Sequence, residues 1–136
     1  MKVAVIGTGH VGLITSISLA ARGHDVVGVD ADAVKIAHLQ AGDVPFYEPS
    51  AQEYLDRVTR AGRLRFTADP GDAIRGADVA FICVGTPAKA TGDANLAAIE
   101  QVGRAVARSA DGPIVIAEKS TVPAGTAERL ERVVAL

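Results

Sequence analysis

The sequence predicts an α/β fold built on a doubly wound parallel sheet. Short apolar runs alternate along the chain with segments whose apolar residues recur at helical spacing, which is the pattern of successive β-α-β units. The first run, Val3–Ile6, is apolar at every position, as is typical of a parallel strand covered on both faces. At 136 residues with 49% hydrophobic residues, the chain is long enough to form a single domain, residues 1–136, with its own core.

Five apolar runs are predicted to be strands because turn-forming residues bound them. Gly7 follows the first run, Gly62 precedes the third, and Gly85 with Pro87 ends the fourth. In chain order the predicted strands are Val3–Ile6, Asp25–Asp30, Leu64–Thr67, Asp78–Val84 and Pro113–Glu118.

The helices between them are predicted from apolar periodicity and from residues that begin or end a helix. Gly23 ends the first helix, Asp32 is a favourable N-cap for the second, and Gly42 stands just beyond its end. Asp69 and Pro70 begin a short fourth helix, since proline is well tolerated in a first turn. In order the predicted helices are Val11–Arg22, Asp32–Gln40, Ala51–Ala61, the short helix begun by Asp69-Pro70, Leu96–Arg108, and one from Ala124 to the C-terminus.

This order of elements predicts a sheet topology. With right-handed connections throughout, the expected spatial order of the strands is 3-2-1-4-5. The common dinucleotide-binding fold of this type has six strands. The sequence is therefore expected to be a Rossmann-like domain truncated after its fifth strand and the helix that follows.

Composition excludes several classes of function. The chain has 14 Lys and Arg residues against 16 Asp and Glu, so it has no excess of positive charge for binding nucleic acid. A single cysteine excludes an internal disulfide and a multi-cysteine metal site. No apolar run approaches the roughly 20 residues that span a bilayer. Gly7, Gly9, His10 and Gly12 interrupt the apolar N-terminus, so it is not interpreted as a signal peptide, and a cytoplasmic location is expected.

The strongest motif joins the first strand to the first helix. Gly7-Thr8-Gly9-His10-Val11-Gly12 is a G-x-G-x-x-G sequence in that context, which predicts binding of a dinucleotide. Gly7 permits the tight turn, Gly9 lets a pyrophosphate approach the backbone, and Gly12 lets the helix pack closely on the strand. The alternative is a merely glycine-rich turn.

Asp30 favours the first interpretation. It ends the second strand, near the position where a carboxylate accepts hydrogen bonds from the adenosine ribose. That carboxylate would repel a 2′-phosphate, and neither Ala31 nor Asp32 is an arginine that would receive one, so NAD is predicted rather than NADP. The alternative role for Asp30 is a helix cap, but Asp32 suits that role better.

The cysteine and two of the histidines are interpreted as structural. Cys83 continues the apolar run of the fourth strand, where burial raises the pKa of a thiol and makes it inert. His24 and His38 are expected at the surface or at the entry to a strand, and no spacing predicts a metal site.

Several longer stretches carry a recognisable pattern: Val5–Leu13, Val29-Asp30 with Lys35-Ile36, Pro45–Pro49, Gly62–Thr67, Phe81–Pro87 and Lys119–Thr126. Taken together, they resemble the N-terminal, NAD-binding domain of the UDP-glucose/GDP-mannose dehydrogenase family. The resemblance extends in order over nearly the whole chain, and the last two stretches are the most diagnostic.

The resemblance implies oxidation of the C6 alcohol of a nucleotide sugar to a carboxylate by two hydride transfers to NAD. It implies that Val11 and Gly12 lie under the pyrophosphate, that Asp30 and Lys35 hold the adenosine ribose, and that Thr121 helps to place a catalytic water. The implied cofactor-binding residues are Gly7, Gly9, His10, Val11, Gly12, Asp30, Lys35, Val84, Gly85, Thr86, Pro87, Ser120, Thr121 and Val122.

Two departures from the family pattern change the expectations. Position 10 is His where the family most often has an aromatic residue, usually Tyr, which bears on cofactor affinity. The family's catalytic cysteine, lysine and glutamate and its sugar-binding domain have no counterpart in this chain, and Cys83 does not match the nucleophile's motif. We therefore expect no catalytic residue and no turnover from this chain alone, and binding of the nucleotide sugar only together with the C-terminal part.

Other interpretations stay open at this point. One is a stand-alone NAD-binding module that regulates a partner, and another is the cofactor domain of a different dehydrogenase family, such as a 3-hydroxyacyl or 6-phosphogluconate type. A homodimer is a further expectation that the sequence does not decide. Leu130–Leu136 is expected to present an apolar face to structure outside this chain.

Overall fold

A computed structural model describes residues 1–135. Every predicted strand and helix is present, and the described ends lie within two residues of the predicted ones. The C-terminal residue of the last predicted helix, Leu136, lies outside the described residues. The strands are β1 (Lys2–Ile6), β2 (Asp25–Val29), β3 (Leu64–Thr67), β4 (Val79–Ile82) and β5 (Val115–Glu118); the helices are α1 (His10–Ala21), α2 (Ala33–Gln40), α3 (Ala51–Arg60), α4 (Pro70–Ile74), α5 (Ala97–Ser109) and α6 (Thr126–Val134).

The five strands form one parallel sheet in the order β3-β2-β1-β4-β5, which confirms the predicted topology. The chain winds outward from β1 in one direction and then continues from β4 in the other. In sheets of this kind ligands bind at the carboxyl ends of the strands, at the point where the winding reverses. Here that point lies between β1 and β4.

Two apolar cores hold helices against the two faces of the sheet. On one face, Leu13 of α1 and Leu55 of α3 are fully buried against residues of β1, β2 and β3. On the other face, Ile74 of α4, Ile82 of β4 and Ile99 of α5 form the equivalent cluster. Because both faces of the central strands are covered, β1, β2 and β4 are apolar at nearly every position, which made them predictable from the sequence.

Of the stretch Leu130–Leu136, which was expected to present an apolar face, Leu130 belongs to the core of the domain. It is buried rather than turned to structure outside the chain, and its Cδ1 lies 2.5 Å from the point that a Cβ on Gly103 of α5 would occupy. The absence of a side chain at Gly103 thus lets α6 approach α5 closely. Val134 also packs partly against this core.

We expect Leu130→Ala to lower the free energy of unfolding by about 2–4 kcal/mol, because it removes a buried side chain and leaves a cavity. Urea denaturation measures the loss, and hydrogen exchange of the α6 amides locates it. The exposed neighbour Glu131→Ala is the control, expected within about 0.5 kcal/mol of the parent. Equal stability of the two variants would contradict the anchoring role of Leu130.

Candidate cofactor-binding site

The glycine loop between β1 and α1 is shaped by two close backbone contacts. Gly7 has φ +96°, a conformation that favours glycine, and a Cβ there would lie 2.5 Å from the carbonyl oxygen of Cys83. A Cβ on Gly12 would lie only 1.8 Å from the carbonyl oxygen of Gly7. The tight turn and the close helix packing predicted for these two glycines are both present.

Gly9 differs from both, since a Cβ there would meet nothing within 4 Å. It is the N-cap of α1, and no side chain caps this helix end. By contrast, Asp32 caps α2 by accepting hydrogen bonds from two backbone N–H groups, and Asp69 caps α4. The N–H groups of the first turn of α1 therefore face outward without an intrahelical acceptor, and the helix dipole adds to their attraction for an anion.

Asp30 lies just beyond the end of β2, beside this loop, and both of its carboxylate oxygens are hydrogen-bonded. Oδ2 accepts from the backbone N–H of Thr8 at 2.9 Å, the hydroxyl of Thr8 at 3.0 Å and the ammonium of Lys35 at 2.9 Å. Oδ1 accepts from the backbone N–H of Asp32 at 3.0 Å. The helix cap is Asp32, as predicted, and the side chain of Asp30 is only 15% exposed.

These contacts keep Asp30 ionised. Burial acts to raise the pKa of its carboxyl, but the hydrogen bonds from Lys35, from the backbone of Asp32 and from Thr8 outweigh burial, so that the pKa lies below its ordinary value. A negative charge thus stands at the end of β2 at neutral pH.

A cleft of about 470 Å³ opens between the glycine loop, the end of β2 and helix α5. Six of the predicted residues line it: Gly7, Gly9, Asp30, Lys35, Val84 and Gly85. Another part of the lining was not predicted from the sequence: it consists of Ala98, Gln101 and Ala105 of α5 together with Ala68 and Pro70. The spacing of Ala98, Gln101 and Ala105 places them on one helix face, but small residues at that spacing are just as typical of a packed core.

His10 and Val11 do not line this cleft. They border a separate groove with Phe81 and Lys119. The His10 ring stacks on Phe46, with centroids 4.4 Å apart, and its Nε2 lies 2.9 Å from a carboxylate oxygen of Glu48. The family-like stretch Pro45–Pro49 therefore contacts the first residue of α1 through this histidine.

Hydrogen bonds join the loop after β4 to the loop after β5. The Ser120 hydroxyl donates to the carbonyl oxygen of Val84 at 2.8 Å, and the Thr86 hydroxyl donates to that of Thr121 at 2.8 Å. Thr121 is exposed, and Val122 is partly buried against the core. The structure thus brings the two most diagnostic stretches together at the carboxyl edge of the sheet, beside the cleft, while Thr86, Pro87 and residues 120–122 lie outside its lining.

Comparison with known proteins identifies the family. The sequence-family model described as "UDP-glucose/GDP-mannose dehydrogenase family, NAD binding domain" matches residues 1–135. The chain belongs to this family. The predicted cofactor, NAD, is confirmed at the level of the family, and membership excludes the alternative of a different dehydrogenase family.

Similar family members include enzymes named for two different sugars. UDP-glucose 6-dehydrogenase of Rhizobium meliloti is 41% identical over 135 residues, which is 98% of this chain and 31% of that protein. GDP-mannose 6-dehydrogenase of Pseudomonas syringae pv. tomato is 42% identical over 129 residues, 93% of this chain and 30% of that protein. The chain thus spans about a third of the length of these relatives.

Solved structures of the family have the same fold. A ternary complex of GDP-mannose dehydrogenase from Pseudomonas aeruginosa superposes with a TM-score of 0.92 at 35% identity, covering 100% of this chain and 33% of that one. UDP-glucose dehydrogenase from Pyrobaculum islandicum also gives a TM-score of 0.92, at 37% identity, covering 98% of this chain and 32% of that one.

The residues of this family member fit a bound NAD. The uncapped N-terminus of α1 offers backbone donors of the kind that bind a pyrophosphate, and Gly9 presents no side chain there. Asp30 is an ionised acceptor in the same cleft. Among residues 1–135, no group of three or more His, Cys, Asp or Glu side chains is placed to hold a metal ion, and no helix in that range is long and apolar enough to cross a membrane.

The thiol of Cys83 is expected to react slowly with alkylating reagents while the chain is folded. Burial raises the pKa of its thiol to about 11, and the nearby charge of Lys119 only partly opposes this effect. At pH 8 the thiolate fraction is then about a hundredfold below that of an ordinary cysteine. Alkylation by iodoacetamide, followed by mass spectrometry, should be slow in buffer and about a hundredfold faster in urea. Fast labelling of the folded chain would show that the thiol is not inert.

Proposed function

We propose that this chain binds NAD at the cleft and that it is the cofactor-binding part of a nucleotide-sugar 6-dehydrogenase. The observation that carries the proposal is that the uncapped N-terminus of α1 and the charged Asp30 carboxylate meet at one cleft. The first attracts phosphate and the second accepts from ribose hydroxyl groups, and a dinucleotide carries both.

Each part of the site has a defined role in this proposal. The first-turn N–H groups of α1 bind the pyrophosphate, with Gly9 leaving room for it. Asp30, held by Lys35, accepts from the adenosine ribose and disfavours a 2′-phosphate. Bound NAD supplies the hydride acceptor for the oxidation. Residues 84–87 and 120–122, joined across the ends of β4 and β5, lie beside the nicotinamide end, with Thr121 helping to place a water there.

The substrate proposed for the whole protein is UDP-glucose or a related nucleotide sugar, oxidised at C6 to the uronate with two NAD. The support is that relatives at about 40% identity are named UDP-glucose 6-dehydrogenase and GDP-mannose 6-dehydrogenase. This chain alone is proposed to be inactive, because the raised thiol pKa of its cysteine makes Cys83 a poor nucleophile.

Isothermal titration of NAD and NADP into the chain tests the cofactor proposal. We expect saturable binding of NAD and at least tenfold weaker binding of NADP, because the Asp30 carboxylate would face the added phosphate. Circular dichroism of the same sample shows that it is folded. A folded chain that binds neither nucleotide, or that prefers NADP, would contradict the proposed site.

A separate experiment tests the proposed substrate. A longer protein that contains this domain is assayed for NADH formation with UDP-glucose and with GDP-mannose, and the 136-residue chain is assayed beside it. We expect the longer protein to form two NADH per UDP-glucose and the 136-residue chain to form none. Turnover by the 136-residue chain would contradict its proposed inactivity, and activity of the longer protein with neither nucleotide sugar would contradict the proposed substrate class.

A further inference from the structure

Thr8, the residue between the first two glycines of the loop, is fully buried and polar. A buried hydroxyl requires a hydrogen-bond partner, since leaving one unpaired is costly. Thr8 has that partner in Asp30, to which both its hydroxyl and its backbone N–H donate. The side chain thus joins the β1–α1 loop to the end of β2, two segments 22 residues apart in sequence.

All these bonds end on one oxygen of the carboxylate. Thr8 supplies two donors to Oδ2 and Lys35 supplies a third, whereas Oδ1 accepts only from the backbone N–H of Asp32. An ionised carboxylate offers about four acceptor positions, shared between its two oxygens. The capacity of Oδ2 is therefore already used, and Oδ1 is the atom that retains capacity for a donor from a ligand.

The packing around Thr8 fixes the orientation of its hydroxyl. Its methyl carbon, Cγ2, lies 3.3 Å from the point that a Cβ on Gly28 would occupy, and the ring of Phe66 lies 2.7 Å from the same point. The methyl thus occupies space that Gly28 leaves open beside β2, and the side chain is branched at Cβ and has few alternative rotamers. The hydroxyl is left directed at Asp30.

We propose that Thr8 is a positioning residue for the cofactor: its hydroxyl holds the Asp30 carboxylate so that Oδ1 faces the adenosine ribose, and it thereby sets the selectivity for an intact ribose. The inference rests on the proposed binding of NAD. In this inference Thr8 does not itself touch the nucleotide, but it orients the Asp30 carboxylate that accepts a hydrogen bond from the 2′-hydroxyl.

The test compares NAD with its 2′-deoxyadenosine analogue by isothermal titration into the chain and its variants. Thr8→Val removes the hydroxyl at nearly constant volume, and Thr8→Ser restores it. Thr59→Val is the matched control, because the Thr59 hydroxyl donates to the carbonyl oxygen of Leu55 within α3, away from the cleft. Thermal unfolding of each variant is recorded alongside.

We expect Thr8→Val to raise the Kd for NAD about fivefold, the effect of one weakened hydrogen bond, and to leave the Kd for the analogue within about twofold of the parent. Thr8→Ser and Thr59→Val should retain the preference of the parent for NAD. If Thr8→Val does not fold, Thr8→Ala, which removes the hydroxyl without adding volume, should show the same selective loss.

The outcomes separate this inference from the proposed function. Equal weakening of NAD and the analogue would assign Thr8 a purely structural role and overturn the inference, as would an unchanged Kd for NAD or a failure of Thr8→Ser to restore selectivity. A parent chain that is folded but binds no NAD would overturn the proposed function itself, and this inference with it.

Discussion

Replacing Gly12 by alanine is expected to separate α1 from the sheet and to abolish NAD binding. The added Cβ would lie 1.8 Å from the carbonyl oxygen of Gly7, so relief requires the backbone of the helix or of the loop to move. Overpacking that side chains can absorb costs about 1–3 kcal/mol, and a clash with backbone is expected at or above the upper end of that range. Because domains of this kind are only marginally stable, the loss is a large share of the total.

Urea denaturation and NAD titration together measure this effect, and Gly9→Ala is the matched control in the same loop. A Cβ on Gly9 meets nothing within 4 Å, and its φ of −66° is open to any residue. The free energy of unfolding of Gly9→Ala should therefore lie within about 0.5 kcal/mol of that of the parent. The variant should nevertheless bind NAD more weakly, because its methyl group would stand at the proposed position of the pyrophosphate. Wild-type stability of Gly12→Ala would contradict the close packing of the helix.

Asp30→Ala is expected to weaken NAD binding by about 10- to 150-fold, because hydrogen bonds to a charged acceptor contribute about 1.5–3 kcal/mol. The same substitution leaves the buried hydroxyl and N–H of Thr8 without their acceptor, so it should also lower the free energy of unfolding by about 1–3 kcal/mol. It removes the charge that disfavours a 2′-phosphate and releases the ammonium of Lys35. NADP should then bind the variant at least as tightly as NAD.

Titration of both nucleotides and urea denaturation check this prediction, with Asp32→Ala as the control. Asp32 caps α2, so its loss should cost about 1 kcal/mol of stability. Its backbone N–H still donates to Asp30, so NAD binding should stay within about twofold of the parent. A persistent preference of Asp30→Ala for NAD over NADP would show that the carboxylate does not determine nucleotide choice.

Most of the fold was predictable because its signals are local. The central strands are short apolar runs because both faces of the sheet are covered there, and the two aspartate caps are set by single residues at helix starts. The ends of β4 and β5 were less predictable. Asp78 and Val84 flank the apolar run of β4, and either residue is compatible with a strand, so the ends of β4 follow from its pairing with β1 and β5.

The candidate site divides in the same way. The glycines and Asp30 belong to a motif whose spacing encodes its geometry, so they were predictable. The wall formed by Ala98 and Gln101 was not, because it depends on how α5 packs across the sheet from the glycine loop. Nor was the partner of His10, since the contact with Glu48 joins a helix start to a loop 38 positions further along the sequence.

The uncapped start of α1 has a consequence for engineering this protein. A screen that scores only heat resistance would favour Ser, Asp or Asn at position 9, since each is a better N-cap than glycine. The same side chain would compete with a phosphate for the N–H groups of the first turn, so every gain in heat resistance there would be a loss of affinity. Position 9 is thus a point of trade-off between stability and cofactor affinity, and it should be kept as glycine in any thermostabilised variant.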